Sequence, residues 1–181
     1  IGKITKADFT DYIKARYAPN NLVVAIAGKF NPTEIAKLVE RNFGHQPSSD
    51  VAGYLPVIED QKKPALLVHY KKTDQAHLVV GFRGFKQGHP DRYAVALLGT
   101  ILGGGMSSRL FTNIREKKGL CYYIHAEHDS YLDTGTLAAS AGVDLKRIDE
   151  AIKSILVEFG NISRGKIGAA ELKKAKEYLK G

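Results

Sequence analysis

Hydrophobic and polar positions in residues 1–44 follow first a helical, then a strand-like, then again a helical pattern. A capping sequence followed by apolar residues at helical spacing predicts a helix over residues 6–17. The unbroken apolar run at residues 22–27 predicts a buried strand. An asparagine and a proline at positions 31–32 are typical of a helix start, and Gly44 is typical of its end. The opening stretch is therefore predicted to be a helix-strand-helix unit.

A change of composition separates this unit from the rest of the chain. Residues 45–63 contain prolines, serines and little periodicity, which predicts a surface linker with a boundary near residue 60. One strand between two helices cannot form a sheet alone, so residues 1–60 are interpreted as the tail of a preceding domain plus this linker. The only methionine is Met106 and the chain opens at Ile1, so we expect it to be a fragment or a processed product.

Residues 61–181 alternate between the two patterns several times. Strands are predicted over 65–71, 77–83, 120–127 and 136–143, and helices over 90–102, 107–118, 144–160 and 168–180. The predicted fold class is α+β, with an antiparallel sheet of about four strands covered by helices. The helix-strand-helix remnant precedes this domain.

Composition and charge narrow the range of partners. The chain has 181 residues and a net charge of +8, and the whole excess of basic residues lies in 61–181. No basic stripe with stacking aromatic residues or nucleic-acid motif accompanies it, which predicts no nucleic-acid partner. The longest apolar runs are far too short to span a bilayer, which predicts no membrane partner. The single cysteine, Cys121, excludes an internal disulfide and favours a reducing, cytoplasmic compartment, while a targeting segment upstream of Ile1 stays open.

Two segments contain residues that could bind a metal or a phosphate, and each has an ordinary structural alternative. His125-Ala-Glu-His128 falls one residue short of a zinc-binding H-x-x-E-H pattern, and on a strand this odd spacing directs the two rings to opposite sides. A polar strand end is favoured over a metal site. Gly103-Gly-Gly105 resembles a phosphate-binding loop but lacks its lysine and spacing. A joint between two helices, with Ser107 or Ser108 as the N-cap, is the favoured prediction there.

An arginine and a tyrosine form the most informative pair. Arg115 lies late on a predicted helix, a glycine marks the following turn, and Tyr122 lies early on the next predicted strand. This order can bring a cation and a phenol to one cleft, where they could stabilise an oxyanion that develops on a substrate carbonyl. From spacing alone, the alternative is that Arg115 pairs with an acid and Tyr122 packs in the protein interior.

The same segment carries a resemblance to a known family. The runs Leu102 to Phe111, Arg115 to Tyr122 and Asp133-Thr-Gly135 resemble the second, inactive domain of the pitrilysin or insulinase family of zinc metallopeptidases, which includes mitochondrial processing peptidase and respiratory core subunits. Residues 17–28 and 34–43 are similar to the end of that family's first, zinc-carrying domain. The resemblance implies that residues 1–60 are the tail of the zinc-carrying domain and that residues 61–181 are most of the substrate-clamping domain.

The resemblance also implies a function and a set of partners. Two such domains would form a clamshell around an extended peptide, with Arg115 and Tyr122 as the catalytic residues that this half supplies. The family's zinc motif is absent here, so no cofactor is expected in this chain, and zinc is expected in the missing domain or in a partner chain of a homodimer or heterodimer. The chain is therefore predicted to be inactive alone. The alternative is a non-catalytic or structural subunit of the same family, with no peptidase role.

Overall fold

The computed structural model describes all 181 residues and divides them into two compact units, residues 1–56 and 57–181. This division lies close to the boundary predicted near residue 60. That the first unit is the tail of a zinc-carrying domain stays a prediction.

Two helices dominate the first unit, and both begin at side-chain caps. Helix α1 spans Lys6–Arg16, and Thr5 and Asp8 form a reciprocal capping box at its start. Helix α2 spans Pro32–Phe43, and the Thr33 amide donates to Asn31 Oδ1 over 3.0 Å. A short 3-10 turn at Pro19–Asn21 lies between them. Both predicted helices are confirmed.

The strand predicted over residues 22–27 is wrong. This segment is irregular, and Val23 is 95% exposed. The apolar run indicates a segment suited to burial in a sheet, but a strand needs a hydrogen-bonded neighbour, and no strand of the first unit supplies one.

The second unit contains one antiparallel sheet and three α-helices. Strands β1 (Ala76–Arg83), β2 (Cys121–Ser130) and β3 (Gly135–Val143) lie in the order β1-β3-β2. The helices are α3 (Arg92–Gly103), α4 (Ile148–Ser163) and α5 (Ala169–Lys180). A 3-10 turn at Leu145–Arg147, begun by Asp144, leads into α4. The predicted α+β class, with an antiparallel sheet and helices packed against it, is confirmed. No helix is long and apolar enough to cross a bilayer.

The core lies between one face of this sheet and the helices. Ala139 and Ala141 of β3 are fully buried there with Leu102 of α3 and Ile155 of α4. The alternate positions of the sheet lie on its other face, where Val79 is largely exposed. This second face is called the open face below.

Two predictions for the second unit differ from the structure. The strand predicted over residues 65–71 is irregular, with Leu67 95% exposed, so the sheet has three strands. The helix predicted over 107–118 is shorter and covers residues 109–116. The hydroxyl of Ser108 is buried without a partner and caps nothing, while the Ser108 carbonyl accepts from the Thr112 amide over 2.9 Å.

Helix α3 ends against the backbone of β2, and this close approach requires a glycine at position 103. A Cβ atom there would lie 2.0 Å from the Ala126 amide nitrogen, which is backbone and cannot rotate away. We expect Gly103→Ala to destabilise the second unit by about 3 kcal/mol, at the upper end of overpacking effects, in thermal unfolding followed by circular dichroism. Gly105→Ala is the matched control, because a Cβ there would meet its nearest neighbour at 3.7 Å, and a loss as large as that of Gly103→Ala would contradict the explanation.

Candidate functional site

Arg115 lies on a helical segment whose last turns are wound as a π-helix. Phe111–Glu116 has π geometry, and the Lys117 amide donates to the Thr112 carbonyl over 3.0 Å, five residues back. A π-helical turn redirects the side chains that it carries and is frequent at functional sites. The Arg115 side chain is exposed, and its guanidinium carbon lies 4.6 Å from the centre of the Phe111 ring. This cation-π contact limits the directions that the arginine can take.

The segment that carries Arg115 is fixed to the core and to α4. Ile114 is almost fully buried in the core cluster. The side-chain amide of Asn113 donates to the Glu158 carboxylate of α4 over 2.8 Å, and the Lys118 ammonium donates to the Ser154 hydroxyl over 2.8 Å. Arg115 therefore projects from a segment that is anchored in the core and hydrogen-bonded to α4.

A tight turn joins this segment to β2. Gly119 has a φ of +58°, in the left-handed region that other residues adopt at a cost. Its amide donates to the Arg115 carbonyl over 3.0 Å, and the Leu120 amide donates to the Ile114 carbonyl over 3.1 Å. The chain reverses within three residues, so that Tyr122 follows Arg115 after one turn.

A β-bulge at the start of β2 determines the direction of Tyr122. Cys121 pairs with Val143 and Tyr123 pairs with Gly142, so Tyr122 is an extra residue opposite a single step of β3. Cys121 and Ile124 are buried, whereas Tyr122 and Tyr123 between them are 67% and 41% exposed. Simple alternation would direct one of these tyrosines into the core. The bulge keeps both tyrosines out of the core.

Electrostatics connects the arginine with the start of β2. Burial raises the pKa of the Cys121 thiol, and the positive charge of Arg115 acts in the opposite direction. Because burial has the larger effect, Cys121 is a protonated, apolar strand residue and no candidate nucleophile.

The polar ends of the predicted pair are available to a ligand. The Arg115 guanidinium has no acidic partner and the Tyr122 hydroxyl has no hydrogen-bond partner in the chain. The structure therefore does not contain the alternative left open by the sequence, in which Arg115 pairs with an acid and Tyr122 packs in the interior. A guanidinium and a phenol are each able to donate hydrogen bonds to the oxygens of a peptide backbone.

The histidines of β2 do not form a metal site. His128 lies toward the helices, where its Nε2 atom is 3.1 Å from both the amide nitrogen and the carbonyl oxygen of Phe85. His125 lies on the open face, and its Nε2 atom is 3.8 Å from Glu127. No group of three or more His, Cys, Asp or Glu side chains could hold a metal ion. The residues of this chain do not fit a zinc site. The two rings lie on opposite faces of β2, as their odd spacing predicts.

One contact beside the pair was not predicted from the sequence. The Tyr123 hydroxyl lies 3.0 Å from His77 Nδ1 of β1, and the two rings stack with centres 6.0 Å apart. Strand β3 runs between these residues. The sequence contains only a weak signal for this contact, namely a second tyrosine next to Tyr122 and a glycine, Gly142, on the strand between.

Comparison with known proteins places the whole chain in one group. The sequence profile of the peptidase M16 inactive domain matches residues 3–179. An uncharacterized zinc protease of Bacillus subtilis (strain 168), YmxG, is 36% identical over 172 residues, which are 94% of this chain and 41% of that protein. An uncharacterized zinc protease of Mycobacterium tuberculosis (strain CDC 1551 / Oshkosh) is 31% identical over 187 residues, covering 100% of this chain and 42% of that protein. The chain spans about two-fifths of the length of these relatives.

Solved structures share the fold. A protease from Helicobacter pylori matches with a TM-score of 0.84 at 23% identity, over 99% of this chain and 45% of that one. A peptidase M16 inactive domain from Pseudomonas fluorescens matches with a TM-score of 0.82 at 24% identity, over 100% of this chain and 44% of that one. A chain of complex III2 from Candida albicans matches with a TM-score of 0.71 at 20% identity, over 98% of this chain and 44% of that one. At these identities the likeness shows the fold alone.

Proposed function

Because this chain belongs to the peptidase M16 family, as its inactive domain, we propose that it is the substrate-clamping part of a zinc-dependent endopeptidase. In this proposal it binds an extended peptide and supplies Arg115 and Tyr122 to an active site whose zinc lies in a partner domain or subunit. Relatives that share its sequence are named zinc proteases, and this chain has no zinc ligands of its own. It is therefore inactive alone and acts within a larger chain or a dimer.

The observation that carries the proposal is the pair of backbone irregularities at Arg115 and Tyr122. A π-helical turn and a β-bulge both have an energetic cost compared with regular structure, and both are frequent next to active sites. Here they lie at two exposed residues whose polar ends have no ion-pair or hydrogen-bond partner in the chain. The Gly119 turn connects them over seven positions of sequence.

Each side chain has a distinct part in the proposed reaction. The Tyr122 hydroxyl donates a hydrogen bond to the carbonyl oxygen of the scissile peptide bond, where negative charge develops when water adds to the carbonyl carbon. The Arg115 guanidinium donates to neighbouring backbone carbonyls of the peptide and so fixes its register. When bound in its own domain, zinc supplies the activated water.

The test compares the complete protein, which includes the zinc-carrying region, with the 181-residue chain. We expect the complete protein to cleave an internally quenched extended peptide, to lose this activity with a zinc chelator and to regain it with added zinc. The isolated chain is expected to show no cleavage. Arg115→Leu in the complete protein is expected to raise KM by about tenfold, the loss of one charge-assisted contact.

The control variant is Arg164→Leu, which removes an exposed arginine of the C-terminal end of α4 and is expected to leave KM unchanged. If the complete protein binds zinc and folds but cleaves no peptide, the peptidase role is wrong. That outcome would favour the alternative from the sequence, a non-catalytic or structural subunit of the same family.

A further inference from the structure

The open face of the sheet contains a contact that spans all three strands. His77 of β1 and Tyr123 of β2 both pair in register with Gly142 of β3, so the three residues form one row across the sheet. The Tyr123 hydroxyl reaches His77 Nδ1 at 3.0 Å above the central strand. Two edge strands that share no backbone hydrogen bonds are thereby tied together by side chains.

Gly142 makes this contact possible. A Cβ atom at this position would lie 2.5 Å from Cε1 and 2.9 Å from Cδ1 of the Tyr123 ring, far inside van der Waals contact. The Cδ1–Cε1 side of the tyrosine ring therefore occupies space beside Gly142 that any larger residue would fill. The next position of β3 on the open face is also small, Ser140, which pairs with Val79 and His125.

The contact also opposes the loss of the bulge at Tyr122. Without the bulge, Tyr122 would pair with Gly142, and Tyr123 would move by one position and face the core, because a one-residue shift reverses the face of every side chain. The hydrogen bond to His77 holds Tyr123 on the open face. The position of Tyr123 thus determines where the extra residue lies, and that residue is Tyr122.

We propose that Tyr123 and His77, packed over Gly142, are positioning residues that hold the β-bulge in the register that directs Tyr122 toward the peptide. This inference rests on the proposed function for its effect on catalysis. The positioning itself is a property of this chain and can be measured without any peptidase activity.

The first experiment measures the position of Tyr122 directly. In the chain labelled with ε-¹³C tyrosine, the Tyr122 resonance is the one missing from the spectrum of Tyr122→Phe. We expect His77→Phe and Tyr123→Phe, which keep an aromatic ring and lose the hydrogen bond, to move or broaden this resonance. The double variant should match the single ones, since both remove the same contact. Gly142→Ala should have the same effect with both partners intact. Tyr131→Phe, on the exposed turn after β2, is the control.

The second experiment uses kcat and KM of the complete protein. We expect Tyr123→Phe to lower kcat by about three- to tenfold, as for the loss of one hydrogen bond, with KM unchanged. In a Tyr122→Phe background the same change should have no further effect, because Tyr123 acts only through Tyr122. Effects that multiply, or a Tyr122 resonance indifferent to all three substitutions, would overturn the proposal. A Tyr122→Phe variant with unchanged kcat would instead refute the catalytic role of Tyr122, and the resonance would still decide the positioning.

Discussion

Replacement of Tyr122 by phenylalanine is expected to lower kcat of the complete protein, in the proposed peptide cleavage, by about 10²- to 10³-fold, the range found when one oxyanion donor is removed. KM is expected to change by less than about threefold, because the hydroxyl bonds more strongly to the charged oxygen of the transition state than to the neutral carbonyl of the substrate. Steady-state kinetics with an internally quenched peptide measures both constants.

The surroundings of Tyr122 indicate that this substitution removes the hydroxyl without destabilising the fold. Tyr122 is 67% exposed and its hydroxyl has no partner within the chain, so its removal leaves no buried group unsatisfied. The thermal stability of the variant should therefore equal that of the wild type. Tyr178→Phe is the matched control, since Tyr178 is similarly exposed at 62%, lies on α5, has a hydroxyl without a partner in the chain and should leave kcat unchanged. Equal kcat values for Tyr122→Phe and wild type would remove Tyr122 from the mechanism.

The sequence predicts helices better than strands in this chain, for a physical reason. The predicted ends of helices α1 and α2 lie within one residue of the observed ends, because caps and helical periodicity are local signals. Residues 22–27 and 65–71 have the composition of strands, but a strand forms only with a neighbour, and pairing is not written in the segment itself. Both segments have no partner strand, and both are irregular.

The site illustrates the same limit. The sequence, with its family resemblance, singles out Arg115 and Tyr122, and the Gly119 turn between them is visible as a glycine. The π-helical turn and the β-bulge are not visible, because each depends on how a segment packs against distant residues. Sequence periodicity does not decide on which face of the sheet Tyr123 lies. Only the pairing of Tyr123 with Gly142 shows that its side chain reaches across β3.

A large effect on stability is expected at Arg109, which joins three elements of the second unit. Its guanidinium donates to both carboxylate oxygens of Glu171 on α5, at 2.6 Å each, and to the Lys166 carbonyl, and it lies 4.0 Å from Glu158 of α4. The Arg109 and Glu158 side chains are only 15% and 12% exposed. We expect Arg109→Met to lower the free energy of unfolding by about 3 kcal/mol, because it leaves two carboxylates without their cation. The melting temperature should fall by about 6–12 °C.

An exposed ion pair is the control for this effect. Lys180 and Glu177 lie 3.3 Å apart on the surface of α5, and Lys180→Met should change the free energy of unfolding by less than about 0.5 kcal/mol. The double variant Arg109→Met/Glu171→Leu should be more stable than Arg109→Met, since it removes one of the uncompensated charges together with its partner. A double variant that is less stable than the single one would show that Arg109 acts through packing.

The pH dependence of stability separates the charge of this pair from its packing. The hydrogen bond from Arg109 lowers the pKa of the Glu171 carboxyl below its ordinary value. A lowered acid pKa stabilises the folded state fully above the unfolded pKa, and this contribution is lost as pH falls through the folded pKa. The difference in unfolding free energy between wild type and Glu171→Gln should thus be constant near pH 7 and shrink from about pH 5 downward. Urea unfolding between pH 3 and pH 7 measures it, and a difference that stays constant over this range would mean that the Glu171 charge does not hold α5 in place.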